Sequence, residues 1–529
     1  MSPRAARIAL AATAAMGMLL TGCSSSGASN APASDVFVVG LNAEPPGLVR
    51  AFYPTQTASH VGLAIQESLV SSDAAGDIIP ALAESWQISP DGTVYTFSLR
   101  KGVKWHDGTP FTSADVAFSL NEVLPLTANG ASVAPLISKV ETPDDGTVVL
   151  TLKSPYAPLL ATFTPSDFNV IPKHLYEGTN LKENEYNRKP VGTGPFKFES
   201  WANNDIVLVR NDEYWGGKPG VSKLIFRVIP DANAAVLALK TGEIDFLPQT
   251  NNQSALDLES DSNVFVSKNR GTRSLQIVFF KLDRAPFNDP AVRKALFTGL
   301  DRAQISQTVL KGFGAPAKSS IPSTYWAYTP TVDYTSAYGF DTAKAAAMLD
   351  AAGYPVKADG FRFAVTFRYT NGFNGNPELA QIVATNWRDL KIDVKLQQDE
   401  LAVWQAATFT DRDFDASTVP YDARLDPHLG VVRAYKCETR KGVLNTNPSG
   451  YCNAKLDAIF EAAAQEPDQA KRKELYRQAQ VIVSEDLPGI ALTENSAPQL
   501  IRSSWQGRDE FFSLGTFAEF RWAALKPAS

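Results

Sequence analysis

The chain has 529 residues, a length that allows two to four domains of ordinary size. Its 44% hydrophobic and 20% charged residues are typical of a folded globular protein and exclude a largely disordered one. The formal net charge of −6 excludes a nucleic-acid binder that works through a broad basic surface.

The first 22 residues are predicted to be a targeting segment that is absent from the mature fold. A short start with two arginines precedes an apolar run at 8–20, which is too short to span a bilayer and has the size of a signal-peptide core. The motif Leu-Thr-Gly-Cys at 20–23 resembles a bacterial lipobox, so we predict cleavage before Cys23 and lipid on that cysteine. An ordinary signal peptide is the alternative. Residues 23–34 are rich in Ser, Ala and Gly, which predicts a flexible tether.

The mature chain alternates strand and helix patterns, which predicts α/β layers. The apolar run 36–39 indicates a buried strand. Two hairpins are predicted, because Asp-Gly pairs at 91–92 and 145–146 each precede apolar residues with a period of two. Thr112 is a predicted helix cap between them. These elements predict a small β-rich subdomain at about 71–190.

Longer strand and helix units follow. A helix is predicted at 233–240, and Asp289 and Asp341 are predicted to cap two more. The clearest unit is 361–398, where two alternating strands flank a helical pattern, as in a βαβ crossover. Ligands bind beyond the carboxyl ends of such strands, and Arg368 lies near that end of the first one.

The sequence lacks the motifs of the common enzyme classes. G-x-S-x-G, H-E-x-x-H, G-x-x-x-x-G-K-[ST] and G-x-G-x-x-G are all missing, and the four histidines lie far apart, outside any metal-ligand spacing. We therefore expect no cofactor, no metal and no catalytic residues. Catalytic triads assemble from distant residues, so a secreted hydrolase stays open as an alternative that a turnover assay would test.

Six segments in order along the mature chain carry motifs of one family. The first segment, 83–119, contains the four motifs AESW, DGTVYTFSLR, VKWHDG and ADVAFS. The other five are GTGPF at 192–196, NDEYW at 211–215, GEID at 242–245, FNDPAVRKAL at 287–296 and YCN at 451–453. Together they resemble the extracellular solute-binding proteins of peptide- and nickel-type ABC importers, solute-binding family 5. His106 falls in the VKWHDG motif, and the resemblance implies packing rather than catalysis for it.

The resemblance implies an α/β fold with two lobes, a hinge and an extra β-rich subdomain. The implied parts are a first lobe from 35–70, 191–270 and 496–529, its subdomain at 71–190, and a second lobe at 271–495. It also implies a monomeric, lipid-anchored protein on the outer face of the cytoplasmic membrane. Such a protein would capture short peptides and deliver them to ABC permease subunits, without nucleic acid as a partner. If the cell has an outer membrane, this face is periplasmic.

The ligand-reading segment of the family is matched around Asp426. Dipeptide and oligopeptide binders carry an Asp for the peptide α-ammonium three positions earlier, where this chain has Ala423. Asp422 is one step before it, and Arg424 could instead favour an anionic group. The predicted ligand-binding residues are Arg368, Trp404, Tyr421, Asp422, Arg424 and Asp426. The alternative cargo is an opine-like or sugar-derived conjugate, or a metal chelate.

Two cysteines remain after cleavage, Cys437 and Cys452, in a compartment that is oxidising. Their even number and spacing of 15 positions predict a disulfide, with two free thiols as the alternative.

Overall fold

The structure is a computed structural model that describes residues 35–127, 129–268, 274–373, 375–438, 442–514 and 519–527. The predicted signal peptide, Cys23 and the tether lie outside the described residues. Within the described ranges, no helix is both long enough and apolar enough to cross a membrane. The described chain contains several sheets with helices packed against them, which confirms the predicted α/β class.

A seven-stranded sheet takes all its strands from the segments predicted for the first lobe, at both ends of the chain and in its middle, and the name first lobe is kept for these segments. Its order is Val264–Ser267, Gln499–Arg502, Phe246–Leu247, Val36–Leu41, Lys223–Val228, Asp205–Arg210 and Phe196–Ala202. The strand predicted at 36–39 is central and pairs in parallel with its neighbours on both sides. Its side chains Phe37 and Val39 are fully buried, which is why the sequence shows an apolar run there.

A six-stranded sheet takes all its strands from residues 271–495, the segment predicted for the second lobe, and that name is kept for it. Its order is Gly314–Pro316, Gly489–Asn495, Ser274–Phe280, Ala416–Asp422, Ala364–Thr370 and Asp393–Asp399. The last two strands are parallel and are connected by the helix Asn376–Asp389, so the predicted crossover is confirmed. Trp387 of that helix packs its ring edge against Phe367 of the first strand, and this contact fixes the helix on the sheet.

The hairpin subdomain contains a four-stranded antiparallel sheet. Its order is Ala83–Ile88, Val94–Leu99, Thr147–Leu152 and Ile137–Asp144, and a small pair, Val70–Ser72 with Ile78–Pro80, lies beside it. Both predicted hairpins are present, each with its Asp-Gly pair in the turn. Alternate residues such as Phe97, Val148 and Leu150 are buried, as the period of two predicts.

The α-helices of the described chain include the three that were predicted to start after Thr112, Asp289 and Asp341. The described α-helices are Gln56–Gly62, Ser113–Phe118, Gly130–Val133, Leu159–Thr162, Lys173–Tyr176, Ala232–Thr241, Asn252–Asp257, Pro290–Thr298, Arg302–Ile305, Tyr334–Ala337, Thr342–Ala351, Asn376–Asp389, Leu401–Gln405, Val431–Tyr435, Ala454–Gln465, Gln469–Asp486 and Arg508–Phe511. The Asp289 and Asp341 carboxylates accept the backbone N–H groups of Ala291 and Lys344, each at 2.8 Å. Gly242 ends the helix predicted at 233–240 in the left-handed conformation, at φ 80°.

The segment 192–196 joins the subdomain to the first lobe by a close backbone approach. A Cβ on Gly192 or Gly194 would lie 1.8 or 2.7 Å from the carbonyl oxygen of Ile65, so only glycine fits at either position. His106 accepts the Gly192 N–H on Nδ1 at 3.2 Å, which leaves Nε2–H to donate to the Gly194 carbonyl at 2.9 Å. Desolvation lowers the pKa of His106 to about 4, so the ring is neutral and serves as packing.

Glu67 lies at the same junction. Its carboxyl group accepts hydrogen bonds from the Thr193 hydroxyl, the Tyr214 hydroxyl and the Trp215 indole N–H, each at 2.8 Å. Desolvation raises the pKa of Glu67 to about 7, and the three hydrogen bonds offset only part of that effect. Two of the recognised motifs, at 192–196 and 211–215, therefore meet on one titratable carboxyl group.

We expect Glu67 to make the free energy of unfolding fall as the pH rises from about 4.5 to about 7. In this range the folded chain keeps a proton on Glu67 that the unfolded chain releases, so the stabilisation is complete below about 4.5 and is lost as the pH passes about 7. The variant Glu67→Gln cannot titrate and should lose this part of the pH dependence, which is on the order of 3 kcal/mol. Urea unfolding of both proteins across this range measures the difference, and parallel pH profiles would contradict the prediction.

Candidate functional site

The predicted ligand-reading loop follows the strand Ala416–Asp422 and turns sharply. Arg424 has φ 58°, and its backbone N–H donates to the Asp422 Oδ1 atom at 2.8 Å. Gly430 packs against this turn so closely that a Cβ there would lie 2.4 Å from the Ala423 carbonyl oxygen. The turn leaves Asp422 exposed and Arg424 half-buried, whereas Ala423 between them is buried.

The hairpin subdomain contacts this loop through polar side chains. The Arg424 Nη1 atom lies 3.8 Å from the Asp167 Oδ1 atom. That same carboxylate oxygen accepts a hydrogen bond from the Asn129 amide at 2.7 Å, and Arg433 donates to the Asn129 Oδ1 atom at 3.2 Å. These residues form a polar chain across the boundary between the first lobe and the second.

Apolar contacts accompany the polar chain along the same boundary. Ala161 of the subdomain packs against Leu425 and Leu429 of the second lobe. The Tyr156 ring meets His428 edge-on, with centroids 5.7 Å apart. Close packing on both sides of the ligand-reading loop places the loop at the contact between the lobes.

Arg50 completes the charged groups at this contact. It belongs to the first lobe, and its Nε and Nη2 atoms donate to the Ser166 carbonyl at 2.8 and 2.6 Å, while Nη1 donates to the Ser59 hydroxyl. Desolvation lowers the pKa of Arg50 to about 10. The charges of Asp167, Arg424 and Asp422 change this pKa to a smaller extent. We call this group of six side chains the interlobe seam: Arg50, Asn129, Asp167, Asp422, Arg424 and Arg433.

Arg368 lies away from the interlobe seam. Arg368 is paired with Ser417 on the adjacent strand. Ser417 is five residues before Asp422, so these two residues lie about 17 Å apart along the strand. The Arg368 Nη1 atom forms an ion pair with Asp399 at 2.7 Å, and the two side chains are only 15% and 8% exposed. Together with Val403 and neighbouring residues, Arg368 lines a shallow groove of about 570 Å³ on the second lobe. A ligand contact by Arg368 stays a prediction.

Trp404 and Tyr421 are buried against the strand Ala416–Asp422, with Trp404 near its start and Tyr421 near the end that leads into the loop. The Trp404 side chain is 1% exposed, and its indole N–H donates to the Ser417 hydroxyl at 3.0 Å. The Tyr421 hydroxyl donates to the Thr446 carbonyl at 2.6 Å, and burial raises its pKa. Both rings therefore support the strand from the core side, and their direct contact with a ligand stays a prediction.

Asp426 is held in a buried ion pair. Its two carboxylate oxygens accept hydrogen bonds from the Arg472 Nη2 atom at 2.8 and 2.7 Å, and the partners are 6% and 7% exposed. Its Oδ1 atom also accepts the backbone N–H of His428 at 3.0 Å. The structure thus gives Asp426 a full set of partners within the second lobe, so a further bond to a ligand stays a prediction.

Cys437 and Cys452 are joined by a disulfide, as the sequence predicts. The bridge closes the loop that contains Thr446, the acceptor of the Tyr421 hydroxyl. Among the described residues, these two sulfur atoms and Asp457 form the one cluster with metal-ligand types, and both sulfurs are already bonded to each other. The cluster therefore supports the loop rather than a metal ion.

Sequence reasoning identified Asp422 and Arg424 but missed the other four residues of the interlobe seam. Arg50, Asn129, Asp167 and Arg433 lie in segments without a recognised ligand motif. Each is an ordinary polar residue in its local sequence, and only the contact between lobes brings them together.

Comparison with known proteins identifies the family. The model of the bacterial extracellular solute-binding proteins, family 5 Middle, matches residues 77–442. The chain is 28% identical over 460 residues to the dipeptide-binding protein of Escherichia coli (strain K12), which covers 82% of this chain and 83% of that protein. It is 30% identical over 451 residues to heme-binding protein A of Haemophilus influenzae, with 79% of each chain covered.

A similar solved structure extends the likeness to the fold. It is the periplasmic binding protein DppA of Helicobacter pylori in complex with the peptide STSA, at a TM-score of 0.79 and 27% identity. The superposition covers 94% of this chain and 99% of that one. The predicted family and the two-lobed fold are thereby confirmed.

We expect the Cys437→Ser, Cys452→Ser double variant to be less stable than the unreduced wild-type protein by about 3 kcal/mol, because a bridge over this loop length restricts the unfolded chain. Thiol labelling of unreduced, unfolded wild-type protein should find neither cysteine free. Urea unfolding measures the loss, and a reductant should destabilise only the wild-type protein. Full labelling of both cysteines without reductant would contradict the prediction.

Proposed function

Because the chain belongs to the bacterial extracellular solute-binding proteins of family 5, we propose that it captures short peptides between its two lobes and delivers them to an ABC permease. Proteins of this family bind solutes and are not enzymes. In this proposal the mature protein is a monomer, held by lipid on Cys23 at the outer face of the cytoplasmic membrane.

The observation that carries the peptide proposal is the exposed carboxylate of Asp422 at the contact between the lobes. It lies one residue before Ala423, the position where peptide binders of the family have their Asp. The left-handed turn at Arg424 directs the Asp422 side chain outward from the strand end. A carboxylate in this place can pair with a peptide α-ammonium, because a charge-assisted hydrogen bond is favourable where water is partly excluded.

A second candidate keeps the fold and changes the cargo. Ala423 has no side chain that could bind an ammonium group, and one relative at 30% identity is a heme-binding protein. A non-peptide ligand, such as an opine-like or sugar-derived conjugate or a metal chelate, is the proposal that these two observations favour. A thermal unfolding panel separates the candidates, since a ligand at 100 times its Kd adds about 2.7 kcal/mol to stability.

We expect Asp422→Asn to weaken the binding of a tripeptide such as Ala-Ala-Ala by roughly 30-fold, because the α-ammonium loses its charged partner. The N-acetylated tripeptide has no ammonium group and should bind wild-type and variant proteins equally. Titration calorimetry with both peptides measures the change. Equal affinity of the two proteins for the free tripeptide would remove Asp422 from the ligand contacts.

We expect Cys23→Ala to release the protein from membranes or to block its processing, because the lipid is attached to that sulfur. Fractionation of cells that express each form measures the distribution. The Cys437→Ser, Cys452→Ser variant keeps Cys23 and is the control that should remain with the membrane. Wild-type levels of Cys23→Ala in the membrane fraction would contradict the anchoring proposal.

A further inference from the structure

Arg50 is a desolvated cation without a matched anion. Its hydrogen bonds go to a carbonyl and a hydroxyl group, both neutral acceptors. Among the described residues, no carboxylate forms an ion pair with it. A guanidinium that loses water without an ionic partner carries a desolvation cost, and the lowered pKa of Arg50 reflects that cost.

The interlobe seam as a whole has more positive than negative charge. It contains the three guanidinium groups of Arg50, Arg424 and Arg433 and the two carboxylates of Asp167 and Asp422. The positive charge of Arg424 lowers the pKa of both Arg50 and Arg433, which shows that the like charges repel one another. The carboxylate of Glu438 acts on Arg433 from outside the seam, whereas no carboxylate of the described residues forms an ion pair with Arg50, so an added anion would balance Arg50.

Arg424 also has donors to spare. Its guanidinium lies 3.8 Å from the Asp167 carboxylate, which is beyond ordinary hydrogen-bond distance. Among the described residues, none accepts a hydrogen bond from this guanidinium. Its planar group of N–H donors is suited to a carboxylate or phosphate, which it can bind with two parallel hydrogen bonds.

We propose that the interlobe seam binds an anionic group of the ligand between Arg50 of the first lobe and Arg424 of the second. For a peptide this group is a carboxylate, so the inference rests on the proposed function and specifies its ligand class. An anion that contacts one arginine from each lobe binds the closed arrangement better than an open one. The ligand would therefore stabilise closure through its differential affinity.

Arg368 is the competing candidate for the same group, since it lies near the region where dipeptide binders of the family have an arginine for the ligand carboxylate. Its guanidinium is already matched by Asp399 at 2.7 Å, so a ligand carboxylate would have to displace that partner. Arg50 has no such partner to displace. The charge balance at each position therefore favours Arg50.

The experiment compares the tripeptide Ala-Ala-Ala with its C-terminal amide, on wild-type protein and the variants Arg50→Gln, Arg424→Gln and Arg368→Gln. Calorimetric titration should show that Arg50→Gln and Arg424→Gln each weaken binding of the free acid by roughly 30-fold or more. Binding of the amide should change little, because it lacks the charge that these side chains match. Arg188→Gln removes a more exposed arginine of the first lobe and is the matched control, with unchanged binding of both probes.

Several outcomes would overturn the inference. Wild-type affinity of Arg50→Gln for the free acid would remove Arg50, and a loss only in Arg368→Gln would assign the carboxylate to that residue. An equal loss for acid and amide would show a structural effect of Arg50 instead of charge recognition. If Arg50→Gln does not fold, Arg424→Gln provides the same comparison from the other lobe.

The proposed peptide function can fail independently. If wild-type protein binds neither peptide, thermal unfolding with succinate and with inorganic phosphate tests the seam itself. A stabilisation by either anion that disappears in Arg50→Gln and persists in Arg188→Gln supports the inference without peptides. The inference would be overturned if neither anion produced a stabilisation that requires Arg50.

Discussion

The contact between Arg424 and Asp167 connects the ligand-reading loop to the opposite lobe, and the geometry of the candidate site depends on it. The side chains are 29% and 7% exposed and lie 3.8 Å apart, so the pair is partly screened and loosely joined. Such a contact can align the two lobes without locking them together. A ligand that binds both lobes can then decide whether the closed arrangement persists.

A different constraint holds the first lobe together. The Ile65 carbonyl lies so close to residues 192 and 194 that both must be glycine, and Glu67 and His106 satisfy the polar groups around it. His106 and the two glycines belong to the motifs by which the family is recognised from sequence, and Ile65 and Glu67 are the groups that these motifs contact. The motifs therefore report a structural junction, and they lie apart from the seam where cargo would bind. For this reason the sequence identifies the family with ease and the ligand with difficulty.

The loop at 421–426 shows how alignment to a family can find the right segment and still leave the roles of its residues open. Tyr421 and Asp422 are neighbours on a strand, so their side chains point to opposite faces. Tyr421 enters the core and donates to Thr446, while Asp422 faces outward. Asp426 pairs with Arg472, which lies on a helix far along the chain. Neither this alternation nor the partner of Asp426 was predicted from the sequence.

The sequence by itself determined the local elements of this protein. Periodicity predicted the hairpins and the crossover, side-chain caps predicted the starts of three helices, and two remaining cysteines allowed a single pairing. These signals act between residues that are close along the chain, so a local pattern contains them. The interlobe seam was decided only by the tertiary structure. Arg50, Asn129, Asp167 and Arg433 have no local pattern in common, because charge interactions depend on distances in space that folding alone establishes.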